Sequence, residues 1–260
     1  MLDQFCYSKM SFEIMILSKC VYKVHVNNYL DRLLKARIAL KVPQPILNGV
    51  LLKFPILYKS KFINYESYLG DCIEELLEKL DSVLGIEGNL IECGCARCGS
   101  TVIMAKHVKE KSVNKKIYAC DLFGGGFDRD ELVVERELGL TAAANNAFAY
   151  NSYEYVQKKI KSLDLSDYII PVKGLFRDTL PQMDYRFCFC LIDCDLRKSI
   201  AFSAENLWPK LSSKGLMLFD DYKEAQFKGA KLAVDAFVTK YEDSITEHGL
   251  LKRLYFVRKK

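Results

Sequence analysis

Four acidic residues stand in two pairs where apolar runs end: Asp193 and Asp195 follow Phe187–Ile192, and Asp220 and Asp221 follow Leu216–Phe219. Two short apolar runs separated by a helical stretch, about 196–211, read as buried parallel strands. If the strands are neighbours, the four carboxylates crowd one edge of one sheet, where like charges repel unless a proton or a cation sits among them. That edge, where strands end and helices begin, is where open α/β sheets bind ligands. The pattern points to an acidic metal site. Each pair also has a plainer reading, in which Asp193 or Asp195 caps the following helix and Asp220–Asp221 only turns the chain.

A second candidate lies upstream, in Ile91-Glu-Cys-Gly-Cys-Ala-Arg-Cys-Gly-Ser100. Gly94 and Gly99 permit tight turning and close approach of a ligand. A helix that begins near Ser100 directs its free N–H groups into the crevice. Glu92, at the strand end, can accept from a cationic ligand group. The fingerprint Gly-x-Gly-x-x-Gly is absent, which counts against NAD. Asp121 ends the next strand, the place in a nucleoside-binding sheet for a carboxylate that takes both ribose hydroxyls. The bland alternatives are an ordinary capped turn at Gly99–Ser100 and common turn chemistry at Asp121.

The elements that must position these groups alternate along the chain. Residues 66–84 carry Ile73, Leu76, Leu77, Leu80, Val83 and Leu84 at helical spacing, and Gly85 and Gly88 end that helix. Strands are expected at 89–95, 116–123, 168–172, 187–195 and 215–222, and helices at 100–111, 142–163, 199–211 and 228–241. Two last strands, 245–250 and 253–258, form a hairpin expected to turn at Gly249. The expected fold is α/β: a doubly wound, mostly parallel, seven-stranded Rossmann-like sheet with a terminal antiparallel hairpin, plus N-terminal helices. Its boundaries are an N-terminal helical region at 1–84 and the sheet domain at 85–260. Within the first region, Tyr29–Leu40 has helical periodicity and Pro43 and Pro45 stop it. That region would serve as a lid, an acceptor-pocket wall or an oligomer contact.

Composition narrows the classes. Half of the 260 residues are hydrophobic, enough for a sizeable core, and the formal charge of +5 is mild with both signs interspersed. The densest basic stretches, Lys106–Lys116 and Lys252–Lys260, read as solvated surface, so no nucleic-acid partner is expected. No apolar run is long enough to span a bilayer, so no integral membrane segment is expected. Asp3, Lys9 and Glu13 break up any secretory signal, so the ten cysteines are expected as reduced thiols in a cytoplasmic enzyme. Cys93, Cys95 and Cys98 lack a fourth partner at zinc-site spacing. None of the three histidines is assigned a role.

Taken in order, several segments resemble the macrocin O-methyltransferase (TylF) family of S-adenosylmethionine-dependent class I methyltransferases. They are Leu90–Ser100, Asp121-Leu-Phe-Gly-Gly-Gly-Phe127, Val172–Pro181, Leu191-Ile-Asp-Cys-Asp-Leu-Arg-Lys-Ser199, Leu207-Trp-Pro-Lys-Leu211, Phe219-Asp-Asp-Tyr222 and Gly229–Phe237. The resemblance covers roughly 86–240 and is most specific at the Asp-x-Asp-Leu and Asp-Asp-Tyr segments. It implies Mg2+ held by Asp193, Asp220 and Asp221, with Asp195 as general base. It also implies that Glu92, Gly94, Arg97, Ser100 and Asp121 contact S-adenosylmethionine or shape its pocket. The implied acceptor is a hydroxyl of a sugar, glycoside or similar small polyol, and the implied assembly a homo-oligomer. This chain departs from the family where Cys98 and Cys194 replace glycine, Gly124 replaces an acid and Arg197 replaces tyrosine. Two other functions stay open: a cephalosporin-hydroxylase-like enzyme with the same metal edge, and a non-catalytic binding module.

Overall fold

Phe187–Ile192 is buried at every residue, as a run without alternation requires of a strand covered on both faces. It is β4 of a seven-stranded sheet whose other strands are β1 Asn89–Cys93, β2 Ile117–Asp121, β3 Ile169–Lys173, β5 Leu211–Phe219, β6 Ile245–Leu251 and β7 Leu254–Lys259. The computed structural model describes Leu69, residues 72–140, Phe148 and residues 151–260. The order across the sheet is β3-β2-β1-β4-β5-β7-β6. The first five strands run parallel, and β7 inserts antiparallel between β5 and β6. The expected architecture is therefore present, including the antiparallel strand beside the fifth.

Helices cover both faces. On one side α1 (Ile73–Asp81), α2 (Gly99–Glu110) and α4 (Tyr153–Ser162) bury Leu76, Val102 and Ile160 against Leu90, Leu191 and Leu218. On the other, α3 (Arg129–Glu137), α6 (Arg197–Leu207) and α7 (Lys228–Tyr241) bury Leu132, Ile200 and Phe237 against Ile91, Ile192 and Phe219. A short helix, α5 (Phe176–Thr179), follows β3. Burying one such Leu or Phe contributes about 1.5–3 kcal/mol. The strict alternation of faces breaks once. Cys188 and Phe189 both pack on the α1 side, at the point where β4 shifts register against β1 and β5. Beyond the bulge, Cys190, Leu191 and Ile192 alternate again and set the strand's end in phase with its neighbours.

Several boundaries differ from expectation. The described part of the 66–84 helix begins at Ile73. Within the 142–163 stretch, α4 begins at Tyr153, where the Ser152 hydroxyl accepts from the Tyr155 N–H at 3.3 Å. Residues 142–147 and 149–150, like the Tyr29–Leu40 helix, lie outside the described residues. α6 ends at Leu207, two residues before Pro209, and β5 starts at Leu211 rather than Gly215. The hairpin turns at Lys252–Arg253, with Lys252 at φ 53°, while Gly249 lies inside β6 opposite Phe256. α3 was not foreseen, because its sequence is mostly charged and only Leu132 among its apolar residues is buried.

Candidate functional site

The register of the strands lines up the chemistry. Cys93 pairs with Cys120 and with Ile192, and Ile192 with Phe219. One residue on, the ladder continues: the Gly94 N–H donates to the Cys120 carbonyl (2.9 Å), Asp193 N–H to Cys93 (2.8 Å) and Asp220 N–H to Ile192 (2.9 Å). Asp121, Gly94, Asp193 and Asp220 thus form a row across the carboxyl ends of four adjacent strands. Gly94 is the hinge of that row. Its φ is +88°, and an added Cβ would overlap the Asp193 carbonyl oxygen.

Asp193, Asp220 and Asp221 each present a carboxylate oxygen within 4.8 Å of the other two. Burial first, and then the charges of Asp220 and Asp221, push Asp193 well above the usual carboxylate range. Burial and the neighbouring Asp220 charge push Asp221 up to about 7. Asp195 is raised by burial, by the charge of Asp221 and by a hydrogen bond to it. Asp195 and Asp221 both hold left-handed backbone conformations, φ 60° and 58°, which aspartate tolerates better than most residues. Arg253 reaches in from the hairpin turn and donates to Asp220 Oδ2 at 2.5 Å. The other oxygen, Asp220 Oδ1, is buried with no hydrogen-bond partner. A cluster of oxygen donors with an unpartnered buried carboxylate oxygen suits a hard divalent cation. The plainer readings of the first pair fail, because α6 is capped by neither Asp193 nor Asp195. Its first N–H groups, Arg197 and Ser199, donate to Glu135 Oε1 (2.6 Å) and Glu131 Oε2 (3.0 Å) of α3.

The upstream turn closes the other half of the row. Gly94, Ser100 and Asp121 border the same cleft as the acids. Asp121 accepts from the Ala96 N–H (2.8 Å) and the Phe123 N–H (2.7 Å), and burial raises it despite those donors. Glu92 lies beneath the cleft rather than in its wall. It is fully buried, its two oxygens accept from the hydroxyls of Ser100 and Thr101, and burial pushes it up to about 7. Glu92 therefore ties the first turn of α2 to β1. Arg97 is also buried and outside the cleft wall, with Nη1 lacking a hydrogen-bond partner, while its carbonyl accepts from Lys159 Nζ at 2.7 Å. Of the nine site residues named from the sequence, seven border the cleft: Gly94, Ser100, Asp121 and the four acids.

The cleft measures about 500 Å³. Phe127, Phe176, Phe202 and Phe227 give it aromatic walls, and Glu131, Ser199 and Gln226 add polar groups. None of these was singled out from the sequence. Asp128 and Glu131 did offer a signal, since Asp-x-x-Glu is a capping-box spacing, and the Asp128 side chain does cap α3 by accepting from the Asp130 N–H. Arg253 carried no signal, because only the sheet order brings the β6–β7 turn to the acids.

An open sheet of this order, with a ligand-sized cleft over its carboxyl edge, defines a Rossmann-like methyltransferase fold. The solved O-methyltransferase NovP superposes with a TM-score of 0.65 at 25% identity, over 74% of this chain and 80% of that one. The calicheamicin methyltransferase CalS11 matches in fold with a TM-score of 0.63 at 18% identity, over 92% and 94%. The sequence profile of the macrocin-O-methyltransferase (TylF) family matches residues 67–248, and the chain belongs to that family. Among curated proteins it is 30% identical, over 58% of its own length, to an 8-demethyl-8-(2,3-dimethoxy-alpha-L-rhamnosyl)-tetracenomycin-C 4'-O-methyltransferase of Streptomyces olivaceus. It is 27% identical, over 65% of its length, to a demethyldecarbamoylnovobiocin O-methyltransferase of Streptomyces niveus. The matched stretches span 57% and 66% of those two relatives, less than two thirds of either. Among the described residues, no helix is long and apolar enough to cross a membrane.

Proposed function

We propose that this chain is an O-methyltransferase that moves a methyl group from S-adenosylmethionine to a hydroxyl of a sugar or glycoside, with Asp193, Asp220 and Asp221 holding a magnesium ion. The observation that carries this reading is the row Asp121–Gly94–Asp193–Asp220, which joins a nucleoside-type carboxylate and a glycine turn to an acidic cluster in one cleft. The named activities of the two curated relatives, on a rhamnosyl compound and on a novobiocin precursor, support a glycoside-type acceptor.

The sulfonium methyl is already activated, so the protein's task is to align it and to prepare the attacking oxygen. Asp121, Gly94 and the first turn of α2 at Ser100 hold the cofactor, and Glu92 and Arg97 shape that turn from below. The aromatic walls exclude water from the methyl's path. A magnesium ion, when bound, supplies a Lewis acid beside the acceptor hydroxyls. Asp195 takes the hydroxyl proton as the oxygen–carbon bond forms and the carbon–sulfur bond breaks. Its burial and the adjacent Asp221 charge raise its proton affinity, as suits a base acting near neutral pH.

The test is a methyl-transfer assay against a panel of rhamnosides and other glycosides, read by product mass. A gain of one methyl is expected, abolished by chelator and restored by magnesium. Asp195→Asn should slow transfer by roughly 10²–10⁴-fold while leaving S-adenosylhomocysteine binding in place. Full activity in chelator would remove the metal from the mechanism. Failure to bind S-adenosylhomocysteine, with or without magnesium, would overturn the methyltransferase reading.

A further inference from the structure

Cys98 stands where the family resemblance places glycine, and the backbone there is glycine-like: φ 56°, ψ 43°, at the N-terminus of α2. Its side chain is fully buried and lies beside that of Cys95, with the sulfurs 3.6 Å apart. The Cys98 N–H donates to the Cys95 carbonyl at 2.6 Å, which closes a four-residue turn. Such turns hold their first and last Cα atoms within about 7 Å, close to the span of about 4.4–6.8 Å that a disulfide bridges. Cys95 borders the cleft, with 3% of its surface exposed. A Cys-x-x-Cys pair at the start of a helix that follows a strand is also the sequence arrangement of dithiol redox sites.

We propose that Cys95 and Cys98 are an oxidative modification site, in which a peroxide entering the cleft converts the two thiols to a disulfide and so deforms the cofactor turn. The Cys95 sulfur attacks one peroxide oxygen, the O–O bond breaks, and Cys95 becomes a sulfenic acid with release of one water. The Cys98 sulfur then attacks the Cys95 sulfur; the S–O bond breaks, the S–S bond forms, and the hydroxyl leaves with the Cys98 proton as a second water. Two thiols and one hydrogen peroxide thus give one disulfide and two waters. Closing the sulfurs from 3.6 Å to about 2.05 Å draws in the turn that presents the Ala96 N–H to Asp121. Burial pushes the Cys95 thiol up, so little thiolate is present, the first step is slow, and the pair stays reduced at low peroxide. A bound cofactor fills the same space, so cofactor and oxidant exclude each other. This effect on binding rests on the cofactor placement proposed above, whereas formation of the disulfide does not.

The reduced protein is treated with a graded excess of hydrogen peroxide, with and without S-adenosylhomocysteine. It is then mapped by peptide mass without reduction and titrated calorimetrically with S-adenosylhomocysteine. The expected result is a Cys95–Cys98 linkage, an affinity weakened about tenfold or more, recovery with dithiothreitol, and protection by prior ligand. Cys98→Gly, which suits the left-handed backbone, should keep its affinity under the same treatment. Three results would overturn the proposal: no linkage at doses that oxidise other thiols, linkage without loss of affinity, or equal loss of affinity in Cys98→Gly. If the reduced protein does not bind S-adenosylhomocysteine, the cofactor reading fails, and the mass map still decides whether the disulfide forms.

Discussion

Glu92 is a charge-bearing group placed where charge is costly, and its environment makes a prediction. Its carboxyl is fully buried and accepts from the hydroxyls of Ser100 and Thr101. Burial raises it from 4.5 to about 7. A carboxyl raised in the folded state binds its proton more tightly there than in the unfolded chain. The stability it contributes is fully present below about pH 4.5 and is lost as pH rises through about 7, up to a ceiling of about 3 kcal/mol. Glu92→Gln keeps an acceptor and removes the charge. It should be more stable than the wild type at pH 8 by about 1–2 kcal/mol, with the difference shrinking toward pH 4.5. Urea unfolding at several pH values measures this, and a pH-independent difference would show that Glu92 does not titrate in this range. The sequence identified Glu92 as part of the turn, but nothing in it distinguished a brace from a wall. That distinction depends on Ser100 and Thr101, whose hydroxyls face inward only once α2 is set on the sheet.

At the scale of elements, the strand ends were legible and helix α3 was not. β4 and β5 carry unbroken apolar runs that stop at acids, and the run itself marks both burial and terminus. α3 has no such stripe, yet its Glu131 and Glu135 cap α6 and thereby leave Asp193 and Asp195 free of that task. The hairpin was legible as two strands, but its turn was misplaced to Gly249. Gly249 instead faces Phe256, with 3.3 Å between that ring and the position of a Cβ. Gly94 is the element-scale position on which the site most depends, because β1 must leave the sheet there while lying against the Asp193 carbonyl. Gly94→Ala introduces both a strained φ and a backbone overlap, and should cost about 3 kcal/mol. It should also abolish S-adenosylhomocysteine binding at temperatures where the variant stays folded. Gly85→Ala is the control: an added Cβ there meets nothing within 4 Å, and its effect should stay within about 0.5 kcal/mol. Denaturant unfolding paired with calorimetric titration separates the two variants.

At the scale of the whole molecule, the site is assembled from segments far apart in sequence, at 94–100, 121, 193–195, 220–221 and 253. They meet only because the sheet order places β1, β4 and β5 side by side and folds β7 back next to β5. The unfolded chain therefore offers neither the Gly94–Ser100 turn nor the acidic cluster, and a ligand that binds the folded form must stabilise it by mass action. At a hundredfold excess over its dissociation constant a ligand adds about 2.7 kcal/mol. For a domain of this size that corresponds to a rise in Tm of about 5–10 °C. S-adenosylhomocysteine should produce such a rise and NAD should not, because the chain lacks the dinucleotide fingerprint. Magnesium alone should also raise Tm, by offsetting the repulsion among Asp193, Asp220 and Asp221, and Asp221→Asn should diminish that rise. Thermal scans of the protein with each ligand decide between the two halves of the cleft. A shift with S-adenosylhomocysteine but none with magnesium would leave a methyltransferase pocket whose acids act through protons and Arg253 rather than through a metal ion.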